Sequence, residues 1–162
     1  ALSDLYGGKI CAALDRQHPR DLFDAKLLLE NEGITDEIRK GCLVYVISHK
    51  RPISELLSPR LKDITAAFKS EFSSMTDIEV SVEDLVETRD ILIKTLTASI
   101  TDEEKQFLLS FKRRSPEWAL LGIEGVSELP AVKWKQMNLG KMSAEKHAQT
   151  LQKLELVIQT MN

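Results

Sequence analysis

Ser81 is followed three residues later by Asp84, and Thr101 three residues later by Glu104. A hydroxyl that accepts from the third helical amide, with an acid there reaching back, is a capping box and fixes a helix start. These two starts bound one long helix running to about Ile100 and open a second running to about Arg114. Neighbouring segments carry the same punctuation. Ser3 can cap a first helix to about Asp15, and Pro19 stands where proline is tolerated, at the first position of a second helix that Gly33 ends after Glu32. Thr35 can cap a third, with Asp36 and Glu37 favourable at its positive end and an apolar run from Cys42 to Ile47.

Arg51-Pro52 interrupts that helix, a short one follows to Leu57, and Ile64, Ala67, Phe68 and Phe72 share a helical face over Leu61 to Phe72. Ser73 to Ser81 reads as a loop; its DIEVSV stretch alternates, but an isolated strand has no partner. Ser115-Pro116 starts a short helix through Leu121, Pro130 one to about Leu139, and Ser143 caps the last, which runs nearly to Asn162. The expectation is an all-α, multi-helix, bundle-like domain. It divides into a hairpin over 1–33 and a C-terminal helical domain over 34–162.

The 43% hydrophobic and 29% charged residues, with few Gly and Pro, suit a folded helical protein and exclude a disordered or fibrous one. Cys11 and Cys42 have no metal-ligand spacing and read as buried, reduced thiols of a cytoplasmic protein. No apolar run approaches the roughly 18 residues of a membrane span. With a net charge of −3 the surface as a whole does not attract a polyanion, so any nucleic-acid contact needs a local basic patch.

Chemistry concentrates in DLYGGKICAALDRQHPRDLFD, from Asp4 to Asp24. Lys9 and Arg16, seven residues apart, project in nearly the same direction. Gly7 and Gly8, each unfavourable in a helix by about 1 kcal/mol, imply a close approach by another backbone or a ligand. Beyond the turn at Gln17-His18-Pro19, Arg20, Asp21 and Asp24 open the second helix. Lysine and arginine can neutralise phosphate oxygens, and a carboxylate can orient a hydroxyl or take its proton. The same residues also fit a structural reading, Arg20 with Asp24 at i,i+4 and Arg16 with Asp21 holding the hairpin. His18 reads as a loop residue and not as a base.

GGKICAALDRQHPRDLFD resembles the lysine-containing helix and following RDxxD segment of the AbiEii/AbiGii nucleotidyltransferase-like toxins. LPAVKWKQMNLGKM, Leu129 to Met142, is similar to the Pro-Ala-x-x-Trp-Lys-x-x-Asn-Leu segment of the same proteins. The resemblance implies that Lys9 contacts nucleotide phosphates, that Asp21 or Asp24 is an acidic active-site residue, and that Arg16 and Arg20 support them. It further implies transfer of a nucleotide from GTP or another nucleoside triphosphate to an acceptor such as tRNA, a cognate antitoxin, and a toxin–antitoxin or phage-defence role.

The family's early triphosphate loop and paired-acid Mg²⁺ motif do not occur here. Asp77-Ile78-Glu79 lacks a glycine-rich turn, and GGK is not a P-loop. The expectation is therefore a C-terminal portion that packs against an α/β nucleotidyltransferase domain holding Mg²⁺, inactive alone, with no metal site of its own. In the C-terminal half, Lys133, Trp134 and Lys135 lie among further cations, Lys112, Arg113, Arg114, Lys141 and Lys146. They suggest a polynucleotide contact, against the alternatives of helix-end lysines and core tryptophans at 118 and 134. Two readings from other classes stand beside the enzyme: a non-catalytic helical module that binds an antitoxin or another partner, and a weaker helix-turn-helix binder.

Overall fold

Both capping boxes form. Ser81 Oγ accepts from the Asp84 amide at 3.1 Å while the Asp84 carboxylate accepts from the Ser81 amide at 3.1 Å, and Thr101 and Glu104 make the same exchange at 3.1 and 3.0 Å. The structure is a computed structural model that describes residues 2–73 and 79–161. Its α-helices are α1 (Leu2–Arg16), α2 (Pro19–Asn31), α3 (Asp36–Ser48), α4 (Ile53–Leu57), α5 (Thr65–Ala67), α6 (Val82–Ser99), α7 (Asp102–Lys112), α8 (Trp118–Leu121), α9 (Pro130–Lys141) and α10 (Ala144–Gln159). A π-helical turn, Phe68–Phe72, extends α5, and a 3-10 turn at Val126–Glu128 precedes α9. No strand occurs among the described residues, so the protein is all-α. Asp77 and Ile78 of the DIEVSV stretch lie outside them.

Most expected starts hold: Thr35 and Ser143 accept from the third amides of α3 and α10, and Pro19 and Pro130 begin α2 and α9. Three differ. Ser3 lies inside α1, which already begins at Leu2. His18 is the N-cap of α2, its Nδ1 accepting from the Arg20 amide at 3.1 Å. The helix expected from Leu61 begins only at Thr65, because tertiary bonds hold the backbone before it out of the helix. Gln17 Nε2 donates to Arg60 O at 2.9 Å, the Lys62 amide donates to Gln17 Oε1 at 3.0 Å, and Arg89 Nη1 donates to Lys62 O at 2.7 Å. No helical periodicity registers bonds to residues 43 positions away.

α1 lies directly against α3. A Cβ built on Gly7 would stand 2.6 Å from the Gly41 carbonyl carbon, and one on Gly41 would stand 2.7 Å from Ser3 O. Of the two readings of the glycine pair, Gly7 therefore serves backbone contact, and Gly8 faces the Tyr45 ring. Ile10 and Leu14 of α1, Leu43 and Ile47 of α3, Leu22 of α2, Leu92 and Leu96 of α6 and Phe107 and Phe111 of α7 share one buried core. The opening hairpin packs into it, α1 on α3 and α2 on α6.

Inside that core Arg39 of α3 meets Glu104 of α7 through two bonds, Nε to Oε1 at 2.8 Å and Nη2 to Oε2 at 3.1 Å. Because Glu104 also closes the Thr101 capping box, one buried carboxylate fixes both the start of α7 and its docking on α3. Cys11 and Cys42 are buried free thiols, and burial pushes Cys11 up to about 11.

Candidate functional site

α1 and α2 run back along each other from the turn at Gln17, which adopts a left-handed φ of 53° that a non-glycine residue rarely takes. Its fully buried amide compensates: Oε1 accepts from Arg89 Nη1 at 2.9 Å as well as from Lys62, so the turn is locked by three bonds. This lock sets which face of α1 meets α2. Lys9 Nζ reaches Asp24 Oδ2 at 3.0 Å, and nearer the turn Arg16 Nη2 reaches Asp21 Oδ1 at 2.8 Å. The cations of the GGK helix and the acids of RDLFD thus stand on one side of the molecule.

The two pairs differ in setting. The Lys9 and Asp24 side chains are 35% and 42% exposed, so solvent screens their attraction and a phosphate can compete for the ammonium at small cost. Asp21 is 13% exposed, and its second oxygen is buried without a hydrogen-bond partner. A deeply set acid with one oxygen on a guanidinium orients that guanidinium, whereas Asp24 shares its oxygen with solvent. Arg20 is exposed at the start of α2.

Sequence reasoning missed a third cluster beside the hairpin. Asp15, also on α1, accepts from Arg51 Nε at 2.5 Å and from His49 Nε2 at 3.1 Å, and His49 Nδ1 accepts from the Arg51 amide. Burial acts to raise the Asp15 pKa, but the Arg51 hydrogen bond and the charges of Arg51 and His49 prevail and hold it below the usual carboxylate value. Asp15 borders a cleft of about 520 Å³ that also carries Arg51, Glu55, Arg60, Lys62 and Asp63. Its cations and acids balance, and the contributing segments are far apart in the chain, so no local motif announces it.

Among the described residues no group of three or more His, Cys, Asp or Glu side chains is placed to hold a metal. A Mg²⁺ site needs oxygen ligands free for the ion. Asp21 and Asp24 each face a cation instead, so these residues do not fit Mg²⁺.

The C-terminal candidates separate. Lys133 is exposed and pairs with Glu128 at 3.0 Å, and Trp134 is 47% exposed. Lys135 is 5% exposed and points inward, Nζ donating to His49 O at 2.5 Å and Arg51 O at 2.7 Å beyond the end of α3. It therefore does not share the outer surface of Lys133 and Trp134. Trp118 stacks on Phe107 and Phe111 at 5.5 and 6.1 Å between centroids, as a core anchor.

A helical scaffold that arrays lysine and arginine against two helix-borne acids can meet phosphate oxygens, and the same two ion pairs can equally hold a hairpin together. The particular family is shown by comparison: the family model "Nucleotidyl transferase AbiEii toxin, Type IV TA system" matches residues 1–138, and the chain belongs to that family of nucleotidyltransferase-like toxins of toxin–antitoxin systems. Comparison with curated proteins and with solved structures finds no match. No helix among the described residues is long and apolar enough to cross a membrane.

Proposed function

We propose that the chain serves transfer of a nucleotide from a nucleoside triphosphate to an acceptor, with the α1–α2 hairpin as its phosphate-handling element. The observation that carries this is the Lys9–Asp24 pair at 3.0 Å on the face where Arg16 and Asp21 also meet, in a chain whose family is a nucleotidyltransferase one. Lys9 holds an ammonium in a fixed place for triphosphate oxygens, and Asp24 receives or orients the acceptor hydroxyl once a phosphate has taken the lysine. Arg16 adds charge at the turn, Asp21 orients it, and Arg20 extends the cationic edge. Charge neutralisation and positioning are the main demands of phosphoryl transfer, and these groups meet them without forming a covalent intermediate. Mg²⁺ held outside the hairpin acids, GTP or another triphosphate, a tRNA acceptor, a cognate antitoxin and a role in phage defence complete this reading.

The test is transfer of label from an α-labelled nucleoside triphosphate to tRNA by the full gene product. Lys9→Met and Asp24→Asn are each expected to lower the rate about a hundredfold or more, the usual loss on removing one charge-stabilising group. Asp21→Asn, acting through Arg16, is expected to lose about tenfold, with the loss in KM rather than kcat. Stability changes for Lys9→Met and Asp24→Asn stay below about 1 kcal/mol, as for other half-exposed pairs. Full activity in a folded Lys9→Met protein would remove the hairpin from the reaction.

A further inference from the structure

Between the last turn of α7 and the inner face of α9 lies a cavity of about 210 Å³ whose charged lining is Lys50, Lys112 and Lys135, with no carboxylate. Three other clefts carry acids: Asp15, Glu55 and Asp63 in one, Asp4, Glu37 and Glu124 in another, and Glu30, Asp84 and Glu87 in a third. In a chain of net charge −3, an all-cationic lining is against the average. Lys112 is 2% exposed, and its ammonium has neither an ion-pair nor a hydrogen-bond partner among the described residues. Lys135, 5% exposed, has two carbonyls but no counter-charge. Arg114 and Lys146 add positive charge around Lys112, and His147 Nε2 donates to Lys112 O at 2.7 Å, tying α10 to the same spot.

Buried cations without acids are costly, and proteins keep them where a ligand supplies the missing charge. We propose that this cavity receives a phosphate group of a single-stranded nucleic acid, Lys112 and Lys135 facing the phosphate and Trp134 offering its exposed ring to an adjoining base. The size agrees: 210 Å³ is below the roughly 300–1,000 Å³ of pockets that engulf small molecules and suits a head group. Trp134 and Asn138 line the opening, and an aromatic face beside cations is the combination that single strands use. The site deepens the acceptor half of the reading above and rests on it. Burial pushes Lys135 down to about 8, with Lys112's charge contributing, and burial with the charges of Arg114 and Lys146 lowers Lys112 as well.

The test is binding of a fluorescein-labelled single-stranded oligoribonucleotide to the chain, followed across salt concentration, with thermal unfolding of each variant. Lys112→Met is expected to weaken binding about tenfold and to lower the slope of log K on log salt by about 0.7, the value for one phosphate contact on a single strand. Without ligand the same variant is expected to melt at a higher temperature than the parent, because it removes an unpaired buried charge. Trp134→Ala, at an exposed position, is expected to weaken binding about fivefold or more and keeps the test intact should Lys112→Met fail to fold. Unchanged oligonucleotide affinity in Trp134→Ala and Lys112→Met overturns the proposal, as does a lower melting temperature for Lys112→Met with binding unaltered. Inorganic phosphate that raises the melting temperature of a protein to which the oligonucleotide does not bind overturns it too, since the cavity would then serve free phosphate. No nucleotide transfer is read, so this result stands apart from the Lys9 and Asp24 assay.

Discussion

In the α1–α2 hairpin, Lys9 and Arg16 each have a carboxylate within 3.0 Å, whereas in the cavity between α7 and α9 two far more deeply buried lysines have none among the described residues. In the sequence both regions raise the same suspicion, Lys9 and Arg16 by their helical spacing and the C-terminal cations by clustering near Trp134. Pairing separates them. A satisfied, half-exposed pair sits in position at little cost and can exchange its carboxylate for a ligand. An unsatisfied buried cation is held by the fold at a cost, and only a ligand of opposite charge removes that cost. The hairpin is thus a site whose evidence is kinship and geometry, and the cavity one whose evidence is electrostatic incompleteness.

The comparison breaks most visibly at Arg39. Glu104→Ala would strip the buried Arg39 of its only buried acid, leaving Nε and Nη2 bare and the exposed Asp36 carboxylate on Nη1 alone, and would also open the capping box of α7. The expected loss in urea unfolding is about 3–5 kcal/mol, the usual result of deleting one partner of a buried pair. A loss under about 1 kcal/mol would mean that this fold tolerates unpaired buried cations freely, and the argument from Lys112 would lose its force.

Gln17 comes next. Gln17→Ala removes three hydrogen bonds, one of them to the buried Arg89 guanidinium, whose Nε already lacks a partner. A loss of about 2–3 kcal/mol is expected, since a charged donor left unpaired inside the protein is the expensive part. Gln17→Gly relieves the left-handed backbone yet loses the same bonds, so it should recover only a fraction. If Gln17→Gly unfolds at the parent's urea concentration, the amide does not lock the hairpin and the placement of Lys9 against Asp24 needs another cause.

The legible parts of this molecule are those written locally. The capping boxes at Ser81 and Thr101, the caps at Thr35 and Ser143 and the prolines at 19 and 130 each act within four residues, and the structure follows them. The close approach implied by Gly7 was also readable, though not that Gly41 would supply it. What escaped depends on residues distant in the chain. The non-helical segment before Thr65 is imposed by Gln17 and Arg89, and Asp15 becomes a paired acid only because α3 ends beside it. Lys112 and Lys135 read as members of an outer basic patch, whereas the structure buries both and places no acid against them among the described residues.

The smallest expected effect lies at the acid end of the pH scale. Asp15 is held below its ordinary value of 3.8, the pull of Arg51 and His49 outweighing burial. A depressed carboxylate contributes stability that is fully present above the unfolded-state value near 4 and is lost as pH falls through the folded one, because the unfolded chain binds the proton first. Parent and Asp15→Asn proteins should therefore differ in melting temperature at pH 6 and converge as the pH falls below about 4. A gap that stays constant over that range would show that Asp15 is not held ionised by its neighbours. The α7–α9 cavity provides the control: its lining has no acid to protonate, so the offset of Lys112→Met from the parent should persist through the same interval. Convergence at one site and persistence at the other would distinguish a region whose charges are already answered from one that still waits for an anion.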